Sequence, residues 1–116
     1  MKLQEIADQL GFRIRAGAGR LDRPAGGGYA SDLLSDVMAH ANPEDLWITL
    51  QTHQNIVAVA VVKELAGIVV VNGREPDEDT ITKAEEEGVA LMTSDLSTFE
   101  LAGRLYGLGL VPSKTS

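Results

Sequence analysis

The chain has 116 residues, and its 44% hydrophobic and only 4% aromatic content predict an aliphatic core in one domain, residues 1–116. It contains no cysteine, which excludes disulfides, thiolate catalysis and cysteine-based zinc sites. Ten basic and seventeen acidic residues give a formal charge of -7, which argues against a nucleic-acid partner.

The first part of the chain predicts a helix, a strand and a long loop. Lys2–Leu10 has the apolar spacing of a short helix, and Gly11 is suited to end it. Phe12–Ala16 alternates apolar and basic residues, as a strand does. Gly17–Gly28 contains five glycines and is expected to be the most flexible segment.

A second helix is predicted after this loop. Ser31 is suited to cap it, and Asp32 would be favourable in its first turn. The helix is expected to run to about Ala41, before Asn42 and Pro43. Its expected buried residues are Leu33, Leu34, Val37 and Met38.

The rest of the chain alternates short apolar runs with helical patterns. The predicted strands are Leu46–Leu50, Ile68–Val71 and Val89–Met92, with a candidate final strand at Leu108–Val111. The predicted helices are Asn55–Leu65, one capped by Asp77 that runs through Glu87, and one opened by the capping box Ser97–Glu100 that ends near Gly107. Pro112–Ser116 is expected to be a flexible tail.

This alternation predicts an α/β layered domain with a small, mainly parallel sheet of four to five strands and helices packed on it. Apolar strands without a polar face are typical of parallel sheets buried on both sides. Met1–Leu10 lacks the basic and apolar regions of a signal peptide, and Ile56–Val62 is too short to span a membrane. We therefore expect a cytoplasmic protein without a membrane partner.

Polar residues follow several predicted strands at the point where a helix begins. Since the carboxyl ends of parallel strands meet at one edge of a sheet, these junctions predict a ligand site there. The candidate ligand-binding residues are Gly26, Gly27, Gly28, Tyr29, Ser31, Asp32, Thr52, His53, Asn55, Thr93, Ser94, Asp95, Ser97 and Thr98.

The glycine-rich loop has two interpretations. In the first it is a mobile flap, whose amides at Gly26–Gly28 approach a ligand beside a helix N-terminus. In the second it is a surface loop with turn glycines. It matches neither the dinucleotide fingerprint nor a Walker loop, because the third small residue of the first and the Lys-Ser or Lys-Thr pair of the second are missing.

Charged residues give weaker signals. Arg13, Arg15, Arg20 and Arg23 bind a small anion in one interpretation and are solvated or ion-paired in the other. The acidic run from Glu75 to Asp79 is explained by favourable charge at a helix N-terminus, so no metal site and no cofactor are predicted. His53 is a candidate for ligand contact rather than catalysis, because no nucleophile pair is evident beside it.

The predicted helix Asn55–Leu65 is apolar around most of its circumference. A helix that is apolar all round needs cover on both sides, and a small domain supplies only one. We therefore expect a homodimer that packs through this helix.

Three parts of the chain resemble DRTGG-domain proteins: Asp22–Met38, Trp47–Ala60, and Ala84–Val89 with Asp95–Thr98 and Gly103–Leu105. The last part is also similar to the N-terminal domain of HPr kinase/phosphorylases. The resemblance implies an α/β domain found alone or fused to CBS modules and phosphotransacetylase-type enzymes, with a regulatory role. The kinase half of HPr kinase carries the P-loop, so the resemblance implies no kinase activity here.

These observations favour a non-catalytic regulatory or ligand-sensing domain that holds a small anionic or nucleotide-like ligand at the carboxyl edge of the sheet. The alternative is an interaction module that scaffolds a partner enzyme or kinase and has no small ligand. A third interpretation, a small enzyme using His53 with Asp95 or Asp32, requires these groups to lie within hydrogen-bond reach.

Overall fold

A computed structural model describes residues 1–113 of the chain. Its helices are α1 (Leu3–Leu10), α2 (Leu34–His40), α3 (Asn55–Val62), α4 (Glu78–Glu87) and α5 (Thr98–Gly107). Its strands are β1 (Arg13–Ala16), β2 (Gly27–Ala30), β3 (Asp45–Thr49), β4 (Gly67–Val70) and β5 (Leu91–Thr93), and a short 3-10 turn covers Ala18–Arg20.

The strands form one sheet in the order β1-β5-β4-β3-β2. Strands β2 to β5 are parallel, since each is joined to the next by a helix, and β1 pairs with β5 in the antiparallel direction. The predicted α/β class and the mainly parallel sheet are confirmed.

Helices cover both faces of the sheet. The side chains of β3 alternate: Leu46 and Ile48 pack in the cluster that contains α1 and α5, and Trp47 packs in the cluster that contains α2, α3 and α4. Both clusters are mostly aliphatic, which explains why the strands lack a polar face. The three crossover helices α2, α3 and α4 lie side by side, with α3 in the middle.

Several helix ends follow the sequence signals. The Ser97 hydroxyl accepts a hydrogen bond from the Glu100 amide at 3.2 Å, so the predicted cap of α5 is present. Gly88 ends α4 in the left-handed conformation with φ 68°. Asp77 occupies the cap position of α4, although its side chain makes no capping hydrogen bond.

The glycine-rich segment is the main correction to the predicted elements. Its end forms β2, so the loop prediction is wrong for Gly27 and Gly28. Gly27 is buried, and a Cβ added there would lie 2.8 Å from both a carboxylate oxygen of Asp45 and the Ser113 amide. This glycine is therefore explained by close packing rather than by mobility.

The second helix is shorter than predicted. It begins at Leu34, and the Ser31 hydroxyl accepts a hydrogen bond from the Leu33 amide in the turn before the helix instead of capping it. Leu33 and Met38 are exposed, whereas Val37 is the fully buried residue of α2. The helix begins two residues later than predicted, because the Asp32 carboxylate bonds to the end of β3, as described below.

The end of the chain also differs from expectation. Leu108–Val111 does not form a strand, and Leu110 instead packs its side chain into the core beside α5. In the predicted tail, the Ser113 hydroxyl donates a hydrogen bond to Asp45. Residues 114–116 lie outside the described part.

Candidate functional site

The carboxyl ends of β2 to β5 lie at one edge of the sheet, and α2 to α5 all begin there. We call this the carboxyl edge and the opposite side the amino edge. Helix N-termini carry partial positive charge and amides without helical partners. Within residues 1–113 the amides of Thr98 and Phe99, in the first turn of α5, donate to no protein acceptor. The first-turn amides of α2 (Leu34 and Ser35) and α4 (Glu78 and Asp79) likewise have no acceptor within residues 1–113, so the start of α5 is one of several candidate anion positions at this edge.

Asp32 joins the ends of two strands. Its carboxylate accepts hydrogen bonds from the Leu50 amide at 2.7 Å and from the Thr49 hydroxyl at 3.2 Å. Its carbonyl accepts from the side-chain amide of Gln51 at 2.8 Å. With these donors engaged, Asp32 primarily holds the turn after β2 against the end of β3.

The junction after β3 is tied to α4. The Thr52 carbonyl accepts hydrogen bonds from the Asp77 amide at 3.1 Å and from the buried hydroxyl of Thr80 at 2.7 Å. The exposed ring of His53 accepts from the Asn55 amide through Nδ1 at 3.2 Å. A neutral His53 therefore carries its proton on Nε2, which is the ring nitrogen that remains for a ligand.

The junctions after β4 and β5 are joined through their backbones. The Asn72 amide donates to the Leu96 carbonyl at 2.8 Å, and the Gly73 amide donates to the Ser94 carbonyl at 3.0 Å. Asn72 has a φ of 64°, which few residues other than glycine adopt without strain. The Ser94 hydroxyl accepts from the Leu96 amide at 3.1 Å. Both loops are thus held in a fixed conformation at the centre of the edge.

Thr93 is the unusual group of this edge. Its side chain is fully buried at the end of β5, and within residues 1–113 its hydroxyl oxygen has no hydrogen-bond partner. An unsatisfied buried polar group costs about 1–3 kcal/mol of stability. A valine of the same shape would avoid this cost.

Strand β1 brings two arginines to the carboxyl edge side of the sheet, because it runs opposite to its neighbour. Arg13 pairs with Asp95 at 3.1 Å, and Arg15 pairs with Glu75. Asp95, a predicted ligand residue, is therefore charge-compensated. The alternation of apolar and basic residues in Phe12–Ala16 predicts a strand with arginines on one face, but it does not indicate the antiparallel direction of β1.

Phe99 was missed by sequence reasoning. It lies in the first turn of α5, and 90% of its surface is exposed, whereas Leu101 and Leu105 of the same helix are buried. The helical period that places these leucines inward would have placed Phe99 outward. An exposed aromatic ring beside two free amides offers a stacking surface for a planar group.

The structure does not bring Gly26, Gly27 and Gly28 to this edge. Gly27 lies in register with Asp45 at the start of β3, and the Gly26 amide donates to the Glu44 carbonyl at 2.9 Å. These three glycines therefore belong to the amino edge. The remaining predicted residues, Ser31, Asp32, Thr52, His53, Asn55, Thr93, Ser94, Asp95, Ser97 and Thr98, lie at the carboxyl ends of their strands or in the following junctions.

Tyr29 also lies away from the predicted site, within β2. Its hydroxyl donates a 2.8 Å hydrogen bond to the Asp36 carboxylate of α2. This hydrogen bond, followed by burial and the negative charge of Asp36, raises the pKa of Tyr29. Hydrogen bonds from Ser31 and Tyr29, with a smaller effect of His40, lower the pKa of Asp36. The group ties β2 to α2.

Of the cavities in the described residues, two are relevant to the other predicted residues. An apolar pocket of about 100 Å³ lies between β2 and α5, lined by Gly28, Tyr29, Ala30, Ile48, Ala102, Leu105, Tyr106, Leu110 and Pro112. A groove of about 170 Å³ at the amino edge is lined by Arg20, Arg23, Glu64 and Glu87 among others. Helix C-termini and carboxylates lie at that groove, so it is a poor position for an anion.

Within residues 1–113 no helix is long and apolar enough to cross a membrane. In the same part of the chain, no three His, Asp or Glu side chains are placed to hold a metal ion.

Comparison with known proteins identifies the family. Residues 5–108 match the model of the DRTGG domain. No curated protein matches the sequence. The fold is similar to a crystal structure of the CBS and DRTGG domains of the regulatory region of Clostridium perfringens pyrophosphatase, complexed with its activator, diadenosine tetraphosphate. The TM-score is 0.72 at 18% identity, over 96% of this chain and 47% of that one, so this chain spans about half the length of that region. The chain belongs to the DRTGG domain family.

Proposed function

We propose that this protein is a regulatory domain that senses a small anionic or nucleotide-like ligand at the carboxyl edge of its sheet. Membership of the DRTGG family supports a regulatory role, because the solved relative is the regulatory region of a pyrophosphatase and binds a nucleotide activator. The observation that carries the proposal is the start of α5, where the amides of Thr98 and Phe99 have no protein acceptor within residues 1–113 and lie beside the exposed ring of Phe99.

The spacing of the edge indicates the size of the ligand. The junctions of His53 and Thr98 follow β3 and β5, which are separated by β4. Two strand spacings are roughly 10 Å, so a ligand that touches both junctions must be at least about the size of a mononucleotide. Its anionic group would lie at the amides of Thr98 and Phe99, and a planar ring would stack on the exposed Phe99 or bond to Nε2 of His53.

The charge of the edge limits the charge of the ligand. The negative charges of Asp95 and Glu75 are compensated by the ion pairs with Arg13 and Arg15. The carboxylates of Glu78 and Asp79, in the first turn of α4, have no such ion pair within residues 1–113. These carboxylates repel a polyanion, so one or two negative charges suit the site better than several.

We propose no catalytic role for this edge. Nδ1 of His53 is occupied by the Asn55 amide, and within residues 1–113 no hydrogen bond joins His53 to Asp32 or Asp95. The enzyme interpretation required such a pair. A cytoplasmic location and a likeness to the N-terminal domain of HPr kinase stay predictions from the sequence.

The test is a thermal-shift panel of nucleoside monophosphates, inorganic phosphate and divalent metals. A ligand that binds only the folded state raises the Tm in proportion to the logarithm of its concentration above Kd. We expect a saturable shift for a nucleoside monophosphate, weakened by His53→Ala and Phe99→Ala while the Tm without ligand stays unchanged. His40→Ala and Tyr106→Ala are matched controls, because both side chains are exposed away from this edge. Absence of a shift across the panel contradicts the proposal.

A second proposed property is self-association through α3. Four residues of α3 are buried, but Ala58, Val61 and Val62 face outward, and Val62 is 65% exposed. This exposed apolar stripe supports the predicted homodimer, with a protein partner as the alternative occupant. Sedimentation at micromolar concentration is the test. A dimer is expected, and a monomer would contradict the homodimer and leave a partner protein as the occupant of the stripe.

A further inference from the structure

The three helices of the outer layer differ sharply in charge. Helix α4 carries five acidic residues and one lysine, which sum to −5 + 1 = −4. Helix α2 carries only Asp36, which is held by Tyr29, and His40. The apolar stripe of α3 lies between them, so this layer has one acidic side and one nearly neutral side.

The stripe is too small to form an interface by itself. A stable interface buries roughly 800 Å² on each partner. That area is comparable with the whole face of a molecule whose extents are 32 × 30 × 25 Å. A dimer centred on α3 must therefore also bring the partner's helices against α2 and α4, and their charges affect its stability.

Two face-to-face arrangements with two-fold symmetry keep the helices of the two layers aligned. When the two-fold axis runs across the helices, α4 of one protomer lies against the same helix of its partner, and two acidic helices meet. When the axis runs along α3, α4 lies against α2 of the partner. Like charges at close range destabilise an interface, and a neutral or basic surface opposite an acidic one does not.

We infer that two copies pack with the two-fold axis along α3, so that the acidic α4 of each protomer lies against α2 of the other. This inference rests on the proposed homodimer and deepens it by stating its geometry. His40, at the C-terminal end of α2, then lies on the same side as the acidic C-terminal end of the partner's α4.

This arrangement has a consequence for ligand sensing. An axis parallel to the helices leaves both carboxyl edges at one end of the dimer. The amino edges, where Met1 bonds to Ala25 and Ser113 bonds to Asp45, lie together at the other end. The two candidate sites therefore form one bivalent surface, while Met1 and Ser113 lie at the opposite end of the dimer.

The absence of native cysteine permits a direct test. Two single-cysteine proteins are prepared, Ala39→Cys on α2 and Thr82→Cys on α4, both at exposed positions. They are treated, separately and mixed, with a bismaleimide that reaches roughly the 8–10 Å between packed helices. One protein carries a mass tag, so that mixed products are distinguished from self-linked ones.

The expected result is a strong mixed product and little self-linking of either protein. Val62→Asp in both proteins should abolish the mixed product, since it places a charge in the stripe. Self-linked products without a mixed product overturn the arrangement but leave the dimer standing. A monomer in sedimentation overturns the dimer and this inference together, and the ligand panel tests the sensing function independently of both.

Discussion

The two edges of the sheet are built from different residues and serve different needs. At the carboxyl edge, polar side chains cap helices, join loops and leave the buried Thr93 hydroxyl unpartnered. At the amino edge, glycines allow close packing: a Cβ at Gly17 would lie 2.5 Å from the Val89 carbonyl carbon. A cluster of glycines thus indicates close backbone approach in this fold, whereas polar junctions indicate where helices begin and where a ligand fits.

The largest effect should come from breaking the amino edge. Gly17 has a φ of 73°, and its missing Cβ leaves room for the backbone of Val89. Gly17→Ala should lower the free energy of unfolding by about 2–4 kcal/mol, through backbone strain and overpacking. Gly19→Ala is the control, because a Cβ there meets nothing within 4 Å. Equal urea midpoints for the two variants would contradict the packing account.

The carboxyl edge should be most sensitive at Asp32. Asp32→Ala leaves the Leu50 amide and the Thr49 hydroxyl without their acceptor, which should cost about 1–3 kcal/mol in urea unfolding. Asp95→Ala removes an exposed ion pair with Arg13 and should cost less than about 1 kcal/mol. A reversed order would mean that Asp32 is not the tie between β2 and β3.

Thr93→Val separates structure from function at the same edge. Removing an unpartnered buried hydroxyl should raise the free energy of unfolding by about 1 kcal/mol without ligand. The ligand-induced rise in Tm should stay unchanged, because the Thr93 side chain is fully buried on the face of the sheet opposite to α5. Destabilisation of the ligand-free protein would show that the hydroxyl has a partner in the folded chain.

The smallest effect concerns pH. The pKa of Asp36 is lowered from its usual 3.8 in the folded protein. Ionised Asp36 therefore stabilises the fold above pH 3.8, and this contribution to the free energy of unfolding is lost as the pH falls below that value. Asp36→Asn should flatten the decline of the Tm in this acidic range. The pKa of Tyr29 is raised from 10.0, so the stabilisation that its protonated hydroxyl gives the fold is lost as the pH rises above 10.0. An unchanged acid profile in Asp36→Asn would contradict the hydrogen-bond network.

Sequence patterns predicted the parallel part of the fold well, because β3, β4 and β5 are continuous apolar runs separated by capped helices. They failed at β2, whose sequence Gly27–Ala30 has neither β-branched residues nor a long apolar run. Pairing with β3 makes it a strand, and pairing is a long-range contact that local propensity does not contain.

The candidate site was predicted in part for the same reason. Ser94, Ser97 and Thr98 follow a recognisable strand, so the chain order alone places them at the carboxyl edge. The prediction placed Gly26–Gly28 at the carboxyl edge because it treated them as the loop before a helix. They lie at the amino edge because Gly27 and Gly28 begin strand β2. Phe99 was missed, and Arg13 was named without a location, since helix exposure and strand direction are set by tertiary packing.

The most direct test of ligand sensing at the carboxyl edge is amide chemical-shift mapping with a nucleoside monophosphate such as AMP. The account predicts saturable shifts for the amides of Asn55, Thr98 and Phe99, and none for Gly27 or Gly88 at the amino edge. Shifts confined to the amino edge or to the apolar pocket beside β2, or no shifts at millimolar ligand, would contradict it.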